Sequence, residues 1–209
     1  IAEHMGVVEK IPVAIFSLEM GRQQLAERFL CSKSQIDSQL VRKGMLTTEH
    51  YQKLVETCGV LSEAPIFVDD TSVLSPLEIR GKARRLASQH NIRCVIVDYL
   101  QLMSMGTKRV ESRQQEITEI SRYMKALARE LNVPVIAISQ LSRAVEQRTD
   151  HMPQLSDLRE SGAIEQDADL VVLLLREEYY NQTEENKGVA KINIAKQRNG
   201  PTGIVELAW

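Results

Sequence analysis

Long hydrophobic runs are absent from this sequence. No apolar stretch approaches the roughly 18 residues that a membrane-spanning helix needs, and no secretory signal pattern is present. The cysteines Cys31, Cys58 and Cys94 are odd in number and have no metal-ligand spacing, so we expect buried, reduced thiols. These absences together predict a cytoplasmic protein that does not engage a membrane.

A strong charge of one sign is also missing. The 26 Lys and Arg residues nearly balance the 28 Asp and Glu residues, which leaves a formal net charge of -2. This balance argues against a generically basic nucleic-acid coat protein, but it allows a local basic track. With 209 residues, of which 43% are hydrophobic and 26% charged, the composition predicts one globular domain.

The third absence is a phosphate loop. No GxxxxGK[ST] pattern, the loop whose backbone N–H groups hold nucleotide phosphates, occurs in the sequence. The sequence begins at Ile1 without an initiator methionine and stops at Trp209 inside a predicted strand. We therefore expect it to be cut at both ends and to form the interior of a longer domain.

Three short apolar runs each end at a polar residue. The polar residues are Glu19, Asp98 and Gln140. Each run is typical of a strand that is buried on both faces of a parallel sheet flanked by helices. Polar groups at the carboxyl ends of such strands line the crevice where open α/β sheets bind ligands. The runs cover residues 13–18, 95–97 and 135–139.

Strand patterns alternate with helix patterns, which predicts an α/β fold with a mostly parallel twisted sheet. One helix has a well-defined start, because Ser75 is a suitable cap, Pro76 suits the first helical position and Glu78 completes a capping box. Near the C-terminus, residues 170–175, 189–195 and 202–208 predict three strands joined by short turns, and such turns favour antiparallel pairing.

The polar residues at the three strand ends suit phosphate chemistry. Asp98 could hold a magnesium ion that neutralises phosphate charge, and Glu19 could orient or deprotonate an attacking water. Gln140 could sense a terminal phosphate. Taken singly, each residue is also compatible with a structural role: an Asp that caps a turn, a Glu that complements a helix dipole, or an ordinary polar strand end.

Read together and in order, five motifs resemble the replicative DNA helicases of the DnaB type, which have a RecA-like motor domain. The resemblance covers nearly the whole chain. The motifs are residues 17–20 (SLEM), 97–102 (VDYLQL), 139–143 (SQLSR), 157–169 (DLRESGAIEQDAD) and 195–201 (AKQRNGP).

The resemblance implies a role for each residue in an ATP site that uses Mg²⁺. By this resemblance, Glu19 is the catalytic base, Asp98 is the Walker B magnesium residue, bound through water, and Gln140 contacts the γ-phosphate region. Lys196 and Arg198 are implied to reach into the ATP site of a neighbouring subunit. Cations placed across an interface can stabilise transition-state charge, an effect of about 10³–10⁵ in rate for arginine fingers.

The fourth motif is implied to bind DNA in the central channel of a ring, which by the resemblance is a hexamer. Arg159, Glu160 and Gly162 match positions that hold the backbone of single-stranded DNA. The surrounding segment, residues 143–163, is polar and contains no aromatic residue, which favours backbone tracking over base stacking. We expect it to be the longest functional loop. Lys108 and Arg109 are weaker candidates for the same channel.

The resemblance also implies what lies outside the sequence. In the family the phosphate loop lies just before the matched region, and an N-terminal domain meets primase, with a helicase loader as a further partner. Without the phosphate loop, we expect these residues alone to bind ATP poorly and to turn it over slowly or not at all. The family moves 5′ to 3′ on the encircled strand. Two other functions stay open: a RecA-like recombination or repair ATPase, and a non-catalytic ring-forming DNA-binding module.

Overall fold

The computed structural model describes residues 1–106 and 112–209, without the side chains of residues 159–161. Lys108 and Arg109 therefore lie outside the described residues. The chain divides into two compact units. One comprises Ile1–Gly106 with Leu127–Ile138, and the other comprises Thr107–Ala126 with Ser139–Trp209.

The first unit contains a parallel four-stranded sheet in the order β2-β1-β3-β4. Its strands are β1 (Val13–Ser17), β2 (Ile66–Asp69), β3 (Cys94–Asp98) and β4 (Val135–Ala137). β1 is buried along its whole length and β3 nearly so, as predicted. Burial on both faces is wrong for β4, where Ile138, just past its end, is 44% exposed, because β4 pairs only with β3 among the described strands.

Four helices belong to this unit: α1 (Arg22–Ser34), α2 (Ser38–Arg42), α3 (Thr48–Ser62) and α4 (Pro76–His90). The predicted start of α4 is confirmed. Ser75 Oγ accepts from the Glu78 N–H at 3.3 Å, and Glu78 Oε2 accepts from the Ser75 N–H at 2.8 Å. Part of α1 packs on the sheet through Leu25 and Phe29.

The second unit contains an antiparallel three-stranded sheet in the order β5-β6-β7, as predicted. The strands are β5 (Leu170–Leu175), β6 (Val189–Gln197) and β7 (Gly203–Ala208). Side chains of β5 alternate between exposed and buried, and Val171 and Leu173 form a small core with Leu158. Two further helices of the chain are α5 (Arg113–Leu131) and α6 (Gly162–Asp167).

The predicted loop over residues 143–163 is wrong as a description of its backbone. It contains two 3-10 helices, Arg143–Gln147 and Leu155–Ser161, and the start of α6. The segment has little hydrophobic period, but contacts that are distant in the sequence order it. The buried carboxylate of Asp157 and the buried side chain of Leu158 supply those contacts.

The cysteine prediction is correct for two residues and wrong for one. Cys31 and Cys94 are buried, with 7% and 1% of their surfaces exposed, whereas Cys58 lies on an exposed side of α3. Helical spacing alone does not show which face of α3 packs against its neighbours. Across the described residues, no helix combines the length and the apolar character that a bilayer crossing requires.

Candidate functional site

Glu19 and Asp98 follow adjacent strands of the first sheet. Ser17 pairs with Asp98 in the β1–β3 register, and the Leu18 N–H donates to the Asp98 carbonyl at 2.8 Å. The chain then bends, because the Ser17 hydroxyl donates to the Met20 carbonyl at 2.7 Å. The buried strands therefore fix the backbone on either side of Glu19, whose side chain is exposed.

The two carboxyl groups affect each other electrostatically. Burial raises the pKa of Asp98, the negative charge of Glu19 raises it further, and the positive charge of Arg28 partly opposes both effects. The site is thus short of positive charge. A cation or a proton near Asp98 would relieve the cost of keeping this carboxylate ionised.

A magnesium ion fits this pair on the chemistry of its donors. Among the described residues, no group of three or more His, Cys, Asp and Glu side chains could hold a metal ion by itself. Mg²⁺ commonly takes only one or two carboxylates and fills its other positions with water and phosphate oxygens. Asp98 supplies such a carboxylate from a rigid strand end.

Gln140 lies three residues beyond Ala137, the last residue of β4, and belongs to the second unit. It lines a cavity of about 670 Å³ together with Arg143, His151 and Arg176. Within the described part of the chain, His151 Nδ1 and Arg176 Nε are buried without a hydrogen-bond partner. Nitrogen atoms and cationic side chains of this kind suit a ligand that carries phosphate.

Asp157 anchors the segment that leads to the predicted DNA motif. Its side chain is only 3% exposed, and it accepts from Arg148 Nη1 at 2.9 Å and from the Gln154 N–H at 2.7 Å. A second contact joins Arg148 Nη2 to Asp157 Oδ1. Burial alone would raise the pKa of Asp157, but the hydrogen bonds and the charge of Arg148 outweigh burial and lower it.

The predicted DNA-binding residues lie at a junction of two helices. Arg159 and Glu160 belong to the 3-10 helix Leu155–Ser161, and Gly162 begins α6. The side chains of Arg159 and Glu160 lie outside the described residues. Gly162 has φ -53 and ψ -21, and a Cβ atom there would meet nothing within 4 Å. The fold of this chain therefore does not require glycine at position 162.

Lys196 and Arg198 lie at the end of β6, Lys196 within the strand and Arg198 just after its last residue. Lys196 Nζ donates to the carbonyls of Glu165 and Gln166, the latter at 3.3 Å. Arg198 Nη2 donates to the Gln166 carbonyl at 2.9 Å, and Arg198 Nη1 lies 3.4 Å from an oxygen of Asp169. Both cations thus contact the C-terminal end of α6, where helix carbonyls attract positive charge.

Four residues in this arrangement were given no role by the sequence analysis: Arg28, Arg148, Asp157 and Asp169. Asp157 and Asp169 are the first and last residues of the fourth motif, so their position was a usable signal. Arg28 and Arg148 carried no comparable signal, because their partners lie outside any motif that contains them.

Comparison with known proteins gives a consistent result. The DnaB-like helicase C terminal domain family matches residues 1–209. The Replicative DNA helicase DnaB of Geobacillus stearothermophilus is 53% identical over 209 residues, which are 100% of this chain and 46% of that protein. The chain therefore spans about half the length of this curated relative.

Solved structures agree. A phage-type ATPase domain of known structure superposes with a TM-score of 0.93 at 40% identity, covering 100% of this chain and 74% of the other. The structure of a DnaB-like replicative helicase and its interactions with primase gives a TM-score of 0.93 at 40% identity, over 99% of this chain and 50% of the other. These matches confirm the predicted RecA-like fold, and the match over residues 1–209 shows that the chain belongs to the DnaB-like helicase C-terminal domain family.

Proposed function

We propose that the chain is the ATPase motor of a replicative DNA helicase, which moves along single-stranded DNA and unwinds the duplex at the replication fork. The observation that carries this proposal is the pairing of Glu19 and Asp98 at the ends of two adjacent buried strands. The family match over residues 1–209 favours this function over a recombination or repair ATPase.

In this proposal each polar residue has one task. Asp98 would hold Mg²⁺, which neutralises the phosphates of bound ATP and so supplies electrophilic activation. Glu19 orients the attacking water and takes up its proton, and its exposed side chain leaves it accessible to a substrate. Gln140 senses the terminal phosphate. The phosphate loop itself is expected from residues that precede the matched segment in the family.

The remaining predicted residues act between subunits and on DNA. Lys196 and Arg198 serve the ATP site of a neighbour in a homo-oligomeric ring, for which six subunits is the family expectation. Arg159, Glu160 and Gly162 hold the DNA backbone, and the open space at Gly162 supports close approach of a phosphate to its N–H group. Such contacts ignore base identity, as a translocating motor requires.

Partners and location follow from the same proposal. One structural relative is described together with its interactions with primase, which supports primase as a partner of the longer protein. A helicase loader and 5′ to 3′ movement are expected of the family. A motor of replication works where the chromosome is, in the cytoplasm. Residues 1–209 form the ATPase domain in this proposal, and the N-terminal domain lies outside them.

The test uses a helicase chimera, in which these 209 residues replace the matching segment of the Geobacillus stearothermophilus helicase. We expect ATP hydrolysis stimulated by single-stranded DNA, and displacement of a strand from a forked duplex. Glu19→Gln should lower hydrolysis by about 10²–10⁴, the usual contribution of a general base. Glu184→Gln, an exposed turn residue, is the matched control and should leave hydrolysis unchanged.

Three outcomes separate the functions. A Glu19→Gln chimera that hydrolyses ATP at the rate of the control would reject the site assignment. A parent chimera that binds DNA and forms rings without hydrolysing ATP would support the non-catalytic module instead. Hydrolysis with strand pairing but no strand displacement would support a recombination ATPase.

A further inference from the structure

The short helix α6 joins two groups of residues that have different proposed tasks. It begins at Gly162, a residue of the proposed DNA motif, and ends at Asp167. At a rise of about 1.5 Å per residue, the two ends of this helix are less than about 10 Å apart. A displacement at its first residue is therefore transmitted to its last turn without an intervening flexible loop.

The last turn of α6 holds the two cations proposed to act on a neighbour. The carbonyls of Glu165 and Gln166 accept hydrogen bonds from Lys196, and the Gln166 carbonyl also accepts from Arg198 at 2.9 Å. These are main-chain groups, so their positions depend on the helix rather than on rotamers of flexible side chains. Any shift of α6 changes the positions available to both cations.

Asp169 adds a charged contact to the same arrangement. Its Oδ1 lies 3.4 Å from Arg198 Nη1, and its carbonyl accepts from the Arg198 N–H at 2.9 Å. Its other oxygen, Oδ2, pairs with Lys125 of α5. The backbone and the guanidinium of Arg198 are thus both tied to Asp169, which lies two residues beyond the end of α6.

We propose that α6 and Asp169 link the DNA motif to Lys196 and Arg198, so that DNA bound near Gly162 sets the position of these cations. Asp169 is a positioning residue in this link, because it acts through Arg198 and not on the substrate. The inference rests on the proposed function. A cation that is already oriented costs little reorganisation when charge develops on the phosphates, which is why its position affects rate.

The test compares three variants of the helicase chimera by the ratio of ATP hydrolysis rates with and without single-stranded DNA. Asp169→Asn keeps the size of the side chain but removes its charge, and we expect the ratio to fall at least about threefold, the effect of losing roughly 0.7 kcal/mol of an ion pair. Asp169→Glu restores the charge and should recover at least half of the loss. Lys125→Gln removes the other ion pair of the same carboxylate and should leave the ratio near that of the parent.

An unchanged ratio in Asp169→Asn overturns the link. An equal loss in Lys125→Gln also overturns it, because the carboxylate would then act by tethering α5. A parent chimera without DNA stimulation rejects the proposed function itself, before any variant is compared.

A second measurement needs no variant. Hydrogen exchange of the parent chimera, with and without oligo(dT), should show altered protection of the amides of Ala168 and Arg198, which bond to Ile164 and Asp169. Unaltered exchange at both amides under saturating oligo(dT) contradicts the link.

Discussion

The negative charge of Glu19 helps to raise the pKa of Asp98, although the two residues are far apart in the sequence. They interact because β1 and β3 are neighbours and Ser17 stands opposite Asp98. Two carboxylates held together in this way are unfavourable for the fold and suitable for a cation. This pair therefore links stability to proposed function in a way that single substitutions can measure.

Asp98→Asn should stabilise the protein at pH 7 and abolish ATP turnover in the helicase chimera. The substitution removes a charge that burial and Glu19 disfavour. We expect a gain of roughly 0.5 kcal/mol, a small value because the side chain is only partly buried and water screens it. Urea unfolding measures the gain.

The same comparison has a defined pH dependence. The pKa of Asp98 is raised in the folded chain, so the cost of its charge is present at neutral pH and disappears as the pH falls through that pKa. The advantage of asparagine should therefore shrink between pH 7 and pH 4 (about the ordinary Asp range). An advantage that grows on acidification contradicts the assigned environment.

Gly162→Ala should weaken binding of single-stranded DNA without loss of stability. A Cβ at this position meets nothing in the chain, so the fold accepts alanine. A lost or lengthened contact of roughly 1 kcal/mol corresponds to an affinity loss of about fivefold. Fluorescence anisotropy with labelled oligo(dT) measures it in the helicase chimera.

Gly81→Ala is the matched control for Gly162→Ala. Gly81 lies within α4, and a Cβ atom there also meets nothing within 4 Å. This change should raise stability, by about 0.5–1 kcal/mol for a helix interior, and leave DNA affinity unchanged. Equal DNA affinities for the two variants would remove Gly162 from the DNA motif.

Arg148→Met should destabilise the protein much more than Arg42→Met. Arg148 is the partner of the 3% exposed carboxylate of Asp157, and its loss leaves a buried charge unpaired. Arg42 pairs with Glu27 on the surface, where ion pairs contribute little. Chemical unfolding at pH 7 compares the two.

The Arg148 effect also depends on pH with a known sign. The pKa of Asp157 is lowered in the folded chain, so the stability that its charge contributes is present above the ordinary Asp pKa and is lost as the pH falls through the lowered value. The difference between Arg148→Met and the parent should be largest near neutral pH. A difference no larger than that of Arg42→Met would show that the pair does not stabilise the segment.

One thiol should react with Ellman's reagent in the folded protein, and three should react after unfolding. Cys58 is exposed, whereas Cys31 and Cys94 are buried. Burial raises the pKa of both buried thiols and so disfavours the reactive thiolate. Cys58→Ser should abolish the rapid reaction. Fast labelling of a second thiol would contradict the packing of α1 or β3.

Mixed rings test whether Arg198 acts across an interface. Chimeras carrying only Arg198→Ala or only Glu19→Gln should each be inactive. Mixed in equal amounts, about a quarter of the head-to-tail interfaces would combine an intact Glu19 with an intact Arg198 from the neighbour. ATP hydrolysis should therefore partly recover on subunit exchange. Absence of recovery in rings shown to be mixed would exclude the cross-subunit role.

Local sequence was sufficient to predict the strands, the helices and the proposed strand-end residues. The capping box of Ser75 and Glu78 acts over three residues, and the apolar runs before Glu19 and Asp98 are contiguous. Interactions this short in range depend on neighbouring residues alone. The five ordered motifs also carried the family assignment, since order and spacing are properties of the sequence.

Only the tertiary structure decided which polar residues are buried and which partners they have. The Arg148–Asp157 pair, the exposure of Cys58 and the contacts of Arg198 with Gln166 and Asp169 all depend on segments brought together by folding. Charge and burial at such sites result from the sum of long-range contacts. No local pattern in the sequence specifies that sum.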